Sequence, residues 1–370
     1  VSDTSSSPIK LPGSTTPKRS RSGRIYLIIA AVVAVVAVAS VLIAAGSNPS
    51  TISGPVDVSH LPDNGPAPPL NATGWINTPP LTAASLRGKV VLYDIWTYSC
   101  INCVRTFPYV RAWYDRYRAD GLVVVGVHSP EFDFEKVQSN VEAAAKHLDV
   151  TWPVALDANM TIWNEFNNLY WPADYIADRT GHLRYSHFGE GDYANTENVL
   201  RALLGVPASS PRATLASKTE TAAKNELNQE TYLGTERGSG TQSGLHVYPA
   251  AGNLVPPNTV LEGPWNGAAE KVTSAAPGAD IAAGVVAQSV NLVMAPANGR
   301  STTVIVTLDG KPVPPDLRGA DVRVDATGRT VVTVSRSDMY RLIQGPGVEQ
   351  HQLHVIAEQP GLEAYSFTFG

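Results

Sequence analysis

The sequence predicts two folded domains behind a membrane anchor: an α/β domain whose central sheet carries helices on both faces, then an all-β domain. Three observations carry this reading. Over residues 69–206, short apolar runs alternate with segments of helical period. From residue 207 onward the texture changes to many short alternating runs separated by turn residues. Ahead of both, residues 25–45 (IYLIIAAVVAVVAVASVLIAA) carry no charge. A chain of 370 residues is too long for one ordinary domain and suits two. Its formal net charge of −5 gives no reason to expect a nucleic-acid partner.

Residues 1–24 are rich in Ser, Thr, Pro and cations, with Lys10, Lys18, Arg19, Arg21 and Arg24 against Asp3. This composition predicts a disordered tail. The run over 25–45 supplies roughly the 20 apolar residues that a spanning helix needs, and cations before it hold the N-terminus in the cytoplasm. Everything after about residue 46 is then expected outside the membrane. The competing reading is a cleaved signal peptide, cut near Ala44, Ala45 and Gly46. The run is longer than the roughly 7–15 apolar residues of such a signal. Residues 46–68 are Pro-rich and read as an extended tether.

Within 69–206, residues 89–96 (KVVLYDIW) and 122–127 are apolar enough to be buried strands. Between them, Val104, Phe107, Val110, Trp113 and Tyr117 recur at helical spacing, which predicts a helix over 100–119. An amphipathic helix is expected over 135–148 and a short one over 161–168. Residues 173–177 and 183–188, joined through Arg179-Thr180-Gly181, read as a hairpin, and 196–204 as a closing helix. This order gives a central sheet between helical layers. In 207–370 the expected strands include 260–263, 281–287, 290–294, 302–308, 331–335, 339–343, 352–357 and 364–369. Asp309-Gly310 and Thr327-Gly328 mark turns between them, and the spacing suggests an antiparallel sandwich.

The chain has two cysteines, Cys100 and Cys103. A bridge between them closes a loop too small to stabilise much, so the pair reads as chemistry rather than a staple. It falls where a strand passes into a helix. There the unpaired N–H groups and partial positive charge favour a thiolate. Cys100 is the expected nucleophile, and Cys103, one turn deeper, the resolving thiol. Asp94 interrupts an apolar strand six residues before Cys100. A carboxyl buried there has a raised pKa and suits a base for the Cys103 proton. Pro108 falls inside the helix and removes a backbone hydrogen bond. Trp171-Pro172 precedes a strand, where a cis proline beside the cysteines presents backbone to an extended substrate.

Together the strand GKVVLYDIW, the CxxC, the Pro108 offset, the aromatic-Pro step and the hairpin DRTGHL resemble thioredoxin-fold domains of the TlpA kind. The strings WTYSCINC, GEGDY and the C-terminal EAYSFTFG resemble DipZ-type proteins. The resemblance covers about 300 residues. It implies a thioredoxin fold over 69–206 and, over 207–370, an all-β jelly-roll sandwich similar to a carbohydrate-binding module. The activity implied is thiol–disulfide exchange that reduces disulfides of exported proteins, with no cofactor beyond the Cys100–Cys103 disulfide; the alternatives are a cell-envelope binding protein whose sandwich recruits a glycan or protein, and an oxidase that donates disulfides. Fused members carry a CcdA-like electron-transfer domain before the thioredoxin unit. This chain shows one spanning run, so a reductant role calls for a separate CcdA-like membrane donor.

Trp96, Tyr98, Trp171 and Pro172 are the expected substrate-facing residues, with Tyr98 and Trp171 as an apolar rim. Ordinary packing is the competing reading for Trp96, Tyr98 and Trp171. Glu165 and Glu190 read as solvated surface. Asn102 stands where many thioredoxins have Pro. Zinc is not expected, since two more ligands are missing; His351 and His354 lie on an alternating strand. An envelope glycan is a possible partner of the β domain through stacking on Trp265, Tyr340 or Tyr365, with core packing as the alternative for each.

Overall fold

The computed structural model describes residues 56–216 and 228–370. The basic tail and the apolar run over 25–45 lie outside the described residues. Among the described residues, no helix is long and apolar enough to cross a membrane.

The first sheet is built from β1 (Gly74–Ile76), β2 (Val90–Trp96), β3 (Leu122–His128), β4 (Val154–Leu156), β5 (Ala173–Ala177) and β6 (Leu183–Phe188). Its spatial order is β1-β4-β3-β2-β5-β6. Strand β2 is parallel to β3 and antiparallel to β5. Every residue of β2 is buried, because both faces of the sheet are covered. Val90, Leu92 and Trp96 pack under α2 (Ile101–Tyr117) and α5 (Tyr193–Leu204). Val91, Tyr93 and Ile95 face the opposite way, toward α4 (Thr161–Glu165). Side chains alternate across a strand, so Asp94 shares the α2 side with Leu92 and Trp96. The remaining helices are α1 (Ala83–Leu86) and α3 (Gln138–His147).

Three sequence expectations need correction here. The helix foreseen over 135–148 is split. Residues Asp133–Lys136 form a separate 3-10 turn, because the Glu135 side chain turns inward and binds backbone N–H groups of Glu131 and Phe132. The tether foreseen over 46–68 is, from Val56 onward, part of the α/β unit. Val58 and Leu61 pack on its core, and Asn64 and Ala67 donate backbone hydrogen bonds to Leu183 and Gly181. Arg184 grips the carbonyls of Val58, Leu61 and Pro62. At the far end, residues 207–213 fold back on α5. The buried Arg201 guanidinium collects the carbonyls of Pro207, Ser210 and Pro211, so the α/β unit extends past the expected boundary at 206.

The second sheet comprises β7 (Thr231–Tyr232), β8 (Gly244–Tyr248), β9 (Thr259–Gly267), β10 (Val272–Ser274), β11 (Asp280–Pro296), β12 (Thr302–Leu308), β13 (Lys311–Pro312), β14 (Arg323–Val324), β15 (Thr330–Val334), β16 (Asp338–Ala357) and β17 (Leu362–Phe369). All its pairings are antiparallel. The four expected strands 281–287, 290–294, 339–343 and 352–357 are halves of β11 and β16. Each long strand stays paired through a register shift between Ala287 and Ser289, where a bulge bends a ladder without ending it. Bending lets β11 pair with β9 near its start and with β17 near its end. The core between is apolar, with Trp265, Leu292, Val306, Leu342, Val355 and Phe367 fully buried.

The β region packs against the α/β unit beside the cysteines. Ile101 and Phe132 share an apolar cluster with Val293, Ala295, Met339 and Tyr365. Tyr365 stacks edge-on to Phe134, with ring centroids 4.8 Å apart, and lies 5.1 Å from Phe132. Around this cluster, Tyr232 Oη donates to Glu131 at 2.8 Å, Arg237 pairs with Glu131 at 2.7 Å, and Asp133 N–H donates to Glu270 at 3.0 Å.

Candidate active site

Cys100 is the N-cap of α2, with extended backbone geometry. Its Sγ accepts a hydrogen bond from the Cys103 N–H at 3.2 Å. An N-cap position satisfies a donor left free at the helix start, and a hydrogen bond to an ionised acceptor is stronger than one to a neutral acceptor. Both cysteines are thiols. Cys100 is half-buried, whereas Cys103 is sealed at 0% exposure. Burial, then the hydrogen bond and charge of Cys100, push the Cys103 thiol well above its ordinary range. The two sulfurs therefore differ in access, and the sealed one is hard to ionise, as suits an outer nucleophile and an inner resolving thiol.

Asp94 lies under this pair, and its charge is one of those felt by Cys103. It is 1% exposed, and neither carboxyl oxygen has a hydrogen-bond partner among the described residues. Burial, then repulsion from Asp174, raises its pKa well above the carboxylate range. Asp174 sits directly opposite on β5 and is itself pushed up to about 7 by burial. Two neighbouring carboxyls in a largely enclosed site cannot both ionise cheaply, so ionisation of one holds the proton on the other, and an Asp94 that has lost its proton is a base stronger than an ordinary carboxylate. Asp174 was not among the expected site residues. The signal that found Asp94, one acid in an apolar strand, was also present in ADYIA.

Two expected substrate-facing residues are corrected. Trp96 is 0% exposed and wedged edge-on against Phe107 and His128, with centroids at 5.0 and 4.8 Å. A Cβ at Gly126 would lie 2.8 Å from its Nε1, so this ring is a tightly enclosed part of the core. Tyr98 is 2% exposed and stacks on His128. Its phenol feels Glu135, then Asp338 and Tyr365, because the β region closes over what would otherwise be a rim. Trp171 does line the site. Its Nε1 donates to Ser129 O at 3.1 Å, and its ring lies 4.1 Å from Trp163. The Trp171–Pro172 bond is cis. Pro172 is buried and its carbonyl already accepts from Gly189 N–H.

Glu190 is not surface. It clamps Arg105, which is 4% exposed, through hydrogen bonds of 2.7–3.1 Å, and Arg105 also donates to Asn102 Oδ1 at 2.7 Å. This network fixes the residue between the two cysteines to the loop carrying Gly189 and Gly191. Glu165 accepts a hydrogen bond from Asn71 at 2.9 Å and is remote from this network. Glu135 was missed altogether. It accepts from Ser99 N–H and Oγ, at 3.3 and 2.7 Å, so it braces the residue before Cys100. Burial, chiefly, pushes its carboxyl up to about 7. Arg105 and Glu135 give no signal in sequence, because their partners lie 85 and 36 residues away.

Cys100 opens into a cavity of about 300 Å³. One wall is Asn102, Arg105, Trp171 and Glu190. The other comes from the β region, through Asn228, Glu230, Tyr232, Thr368 and Phe369. The three rings expected to stack on sugar are unavailable. Trp265 is 0%, Tyr340 6% and Tyr365 4% exposed. His351 and His354 each pair with a carboxylate, Asp309 and Asp280.

A CxxC at a helix start after a central strand, a sealed second sulfur, a buried acid beneath and a cis proline nearby define a thioredoxin-type dithiol site. Residues 65–186 match the AhpC/TSA family, and residues 228–370 match the family described as "Thioredoxin like C-terminal domain". The chain is 36% identical over 327 residues to Protein DipZ of Mycobacterium tuberculosis, covering 84% of this chain and 44% of that protein. It is 32% identical over 127 residues to the thiol-disulfide oxidoreductase YkuV of Bacillus subtilis, covering 34% of this chain and 84% of YkuV. Over 118 residues it is 24% identical to the thiol-disulfide oxidoreductase ResA of Bacillus cereus, covering 32% of this chain and 65% of ResA. The chain thus spans less than half the length of DipZ. It belongs to the thioredoxin-like family of thiol–disulfide oxidoreductases.

Proposed function

We propose that this chain is a membrane-anchored, extracytoplasmic enzyme that reduces disulfides of exported proteins through Cys100 and Cys103. The observation that carries the reading is one accessible sulfur at a helix start, in an open cavity, with a second sealed sulfur one turn behind it. The Cys100 thiolate attacks one sulfur of the substrate disulfide. That S–S bond breaks, a mixed disulfide forms, and the other substrate sulfur leaves as a thiolate that takes a proton from water. Cys103 then gives its proton to Asp94 and attacks Cys100 Sγ. The second substrate thiol departs and Cys100–Cys103 closes as a disulfide. Two electrons pass to substrate, and the Asp94 proton follows the departing sulfur. The neighbouring Asp174 raises the proton affinity of Asp94 by repulsion.

The enzyme as oxidised by this cycle needs a donor of two electrons, for which a CcdA-like membrane protein is the proposed partner. The anchor is residues 25–45, supported by an uncharged apolar run behind five cations. The β region we read as a jelly-roll-like sandwich, supported by the bent strand β11 pairing with both β9 and β17. Reduction of insulin disulfides with a dithiol donor tests the activity. Cys100→Ser abolishes turnover, and Cys103→Ser accumulates a mixed disulfide on Cys100. Wild-type turnover by either variant overturns the reading. Direction is tested by the potential of the pair. A value near the thioredoxin level of about −270 mV supports a reductant, and one near about −120 mV makes the protein a disulfide donor instead.

A further inference from the structure

The cavity at Cys100 does not end at the α/β unit. A larger cavity of about 720 Å³ opens in the β region, and the two meet at Glu230 and Tyr232, which line both. We propose that they form one cleft that holds an extended polypeptide segment flanking the substrate disulfide, with a preference for basic over acidic side chains next to the cysteine. The inference rests on the oxidoreductase reading and names the substrate-binding half of that enzyme.

Continuity with the sulfur is the first argument. Cys100 lines the smaller cavity, and Glu230 and Tyr232 stand where that cavity passes into the larger one. The larger volume falls within the roughly 300–1,000 Å³ of ligand-binding clefts. Its lining includes Gln229, Ser239, Thr241, Tyr248 and Asn258, a mixed set of donors and acceptors suited to peptide groups.

Charge is the second argument. Glu131 is paired with Arg237 and Glu190 with Arg105. Glu230 has no ion pair of its own among the described residues, and more than a third of its surface stays open to the cleft. Enclosure there and then repulsion from Glu131 push its carboxyl up to about 7, against the pull of Tyr232 and of Arg237, a cation already paired with Glu131. A Lys or Arg brought by substrate supplies a counterion of its own. Two rings line the larger cavity. Tyr232 already carries the Arg237 guanidinium on its face, 3.8 Å from the centroid, and the Tyr248 hydroxyl accepts from Gln242 N–H at 2.9 Å, so a glycan is kept as an outcome of the test.

The test uses the full chain with a dithiol donor and peptides whose single cysteine is disulfide-linked to nitrothiobenzoate. Peptides of about four and about twelve residues are compared, each with Lys or Glu beside the cysteine, at pH 8 and low salt. The expected result is a kcat/KM at least tenfold higher for long than for short peptides, and about fivefold higher for Lys than for Glu. Ala250→Trp and Asn258→Trp, two exposed positions that fill the larger cavity, bring the length ratio to within twofold of one. Glu230→Gln does the same to the charge ratio. Equal turnover of short and long peptides, or a length ratio untouched by both filling variants, overturns the cleft. Relief by both filling variants of inhibition by a glucose hexasaccharide would place a glycan there and also overturns it. If no peptide is turned over, the oxidoreductase reading fails. The cleft is then decided by binding of the long Lys peptide with Ser for Cys. Binding weakened at least fivefold by the filling variants retains it, and absent binding removes it.

Discussion

The two regions bury different kinds of residue. In the α/β unit, Asp94, Arg105, His128, Glu135, Asp157, Glu197 and Arg201 are all nearly inaccessible, whereas Asp280 is the sole charged residue so buried among the described residues of the β region. The β region instead spends its interior on aliphatic and aromatic packing. Burying a charge is expensive unless it is paired or shifts its pKa. Some of the α/β charges are paired structurally, as Asp157 is when it caps α4 through Ile162 and Trp163 N–H. Asp94 has no such partner, and it lies under the sulfurs. The comparison separates a region built for proton and sulfur chemistry from one built as a rigid wall beside it.

If the β region is a wall and not an appendage, the largest effect belongs to their contact. Tyr365→Ala removes the ring against Phe132 and Phe134, and is expected to cost about 3 kcal/mol. Denaturant titration reads the loss. An unchanged midpoint would make the two regions independent. Next is the chemistry. Asp94→Asn should slow release of substrate from the Cys100 mixed disulfide about 100-fold, equivalent to about 2.7 kcal/mol. In wild type that rate rises with pH toward the elevated Asp94 pKa, because the base must lose its proton first. In Asp94→Asn the break at the Asp94 pKa is gone and the slower rate simply follows the Cys103 thiolate fraction upward, a difference that single-turnover kinetics over pH 5–9 would reveal. The same substitution should stabilise the fold at neutral pH. A carboxyl whose folded pKa is raised contributes stability that is complete below its unfolded pKa and lost as pH climbs through the folded one.

Core packing beneath the site comes third. Gly126→Ala places a Cβ 2.8 Å from Trp96 Nε1 and 3.0 Å from Trp152 Nε1, which should cost about 2 kcal/mol, measured by thermal unfolding. The smallest effect lies in the β region. The hydrogen bond from His354 to Asp280, 2.7 Å long, raises the histidine pKa. Its contribution is complete below about 6.5 and fades as pH rises past the raised value. The pair is partly exposed, so less than about 1 kcal/mol is at stake. Wild type minus His354→Asn should show this difference in Tm between pH 5.5 and 8.5; a pH-independent difference would remove the linkage.

Legibility in sequence followed distance along the chain. The strand before the cysteines, the helix after them and the acid in the strand lie within about thirty residues, and periodicity alone located them. Glu190 was misread as surface because its partner Arg105 lies 85 residues earlier. Tyr98 was misread as rim because the ring system that covers it, around Tyr365, belongs to the last strand. The halves of β11 and β16 were read as separate strands because turn residues such as Gly345 and Gly347 look the same in a bulge as in a turn.

The sequence by itself determined the sulfur pair, its place at a helix start and the buried acid behind it, because these depend on local period and on spacing across one strand–helix junction. Only the tertiary structure decided that a second region closes one side of the site, that Glu135 and Arg105 brace the loop, and that Asp94 has Asp174 for a neighbour. Those contacts join residues that meet only when sheets pair and layers pack, and nothing in local periodicity encodes which distant surface will be brought against which.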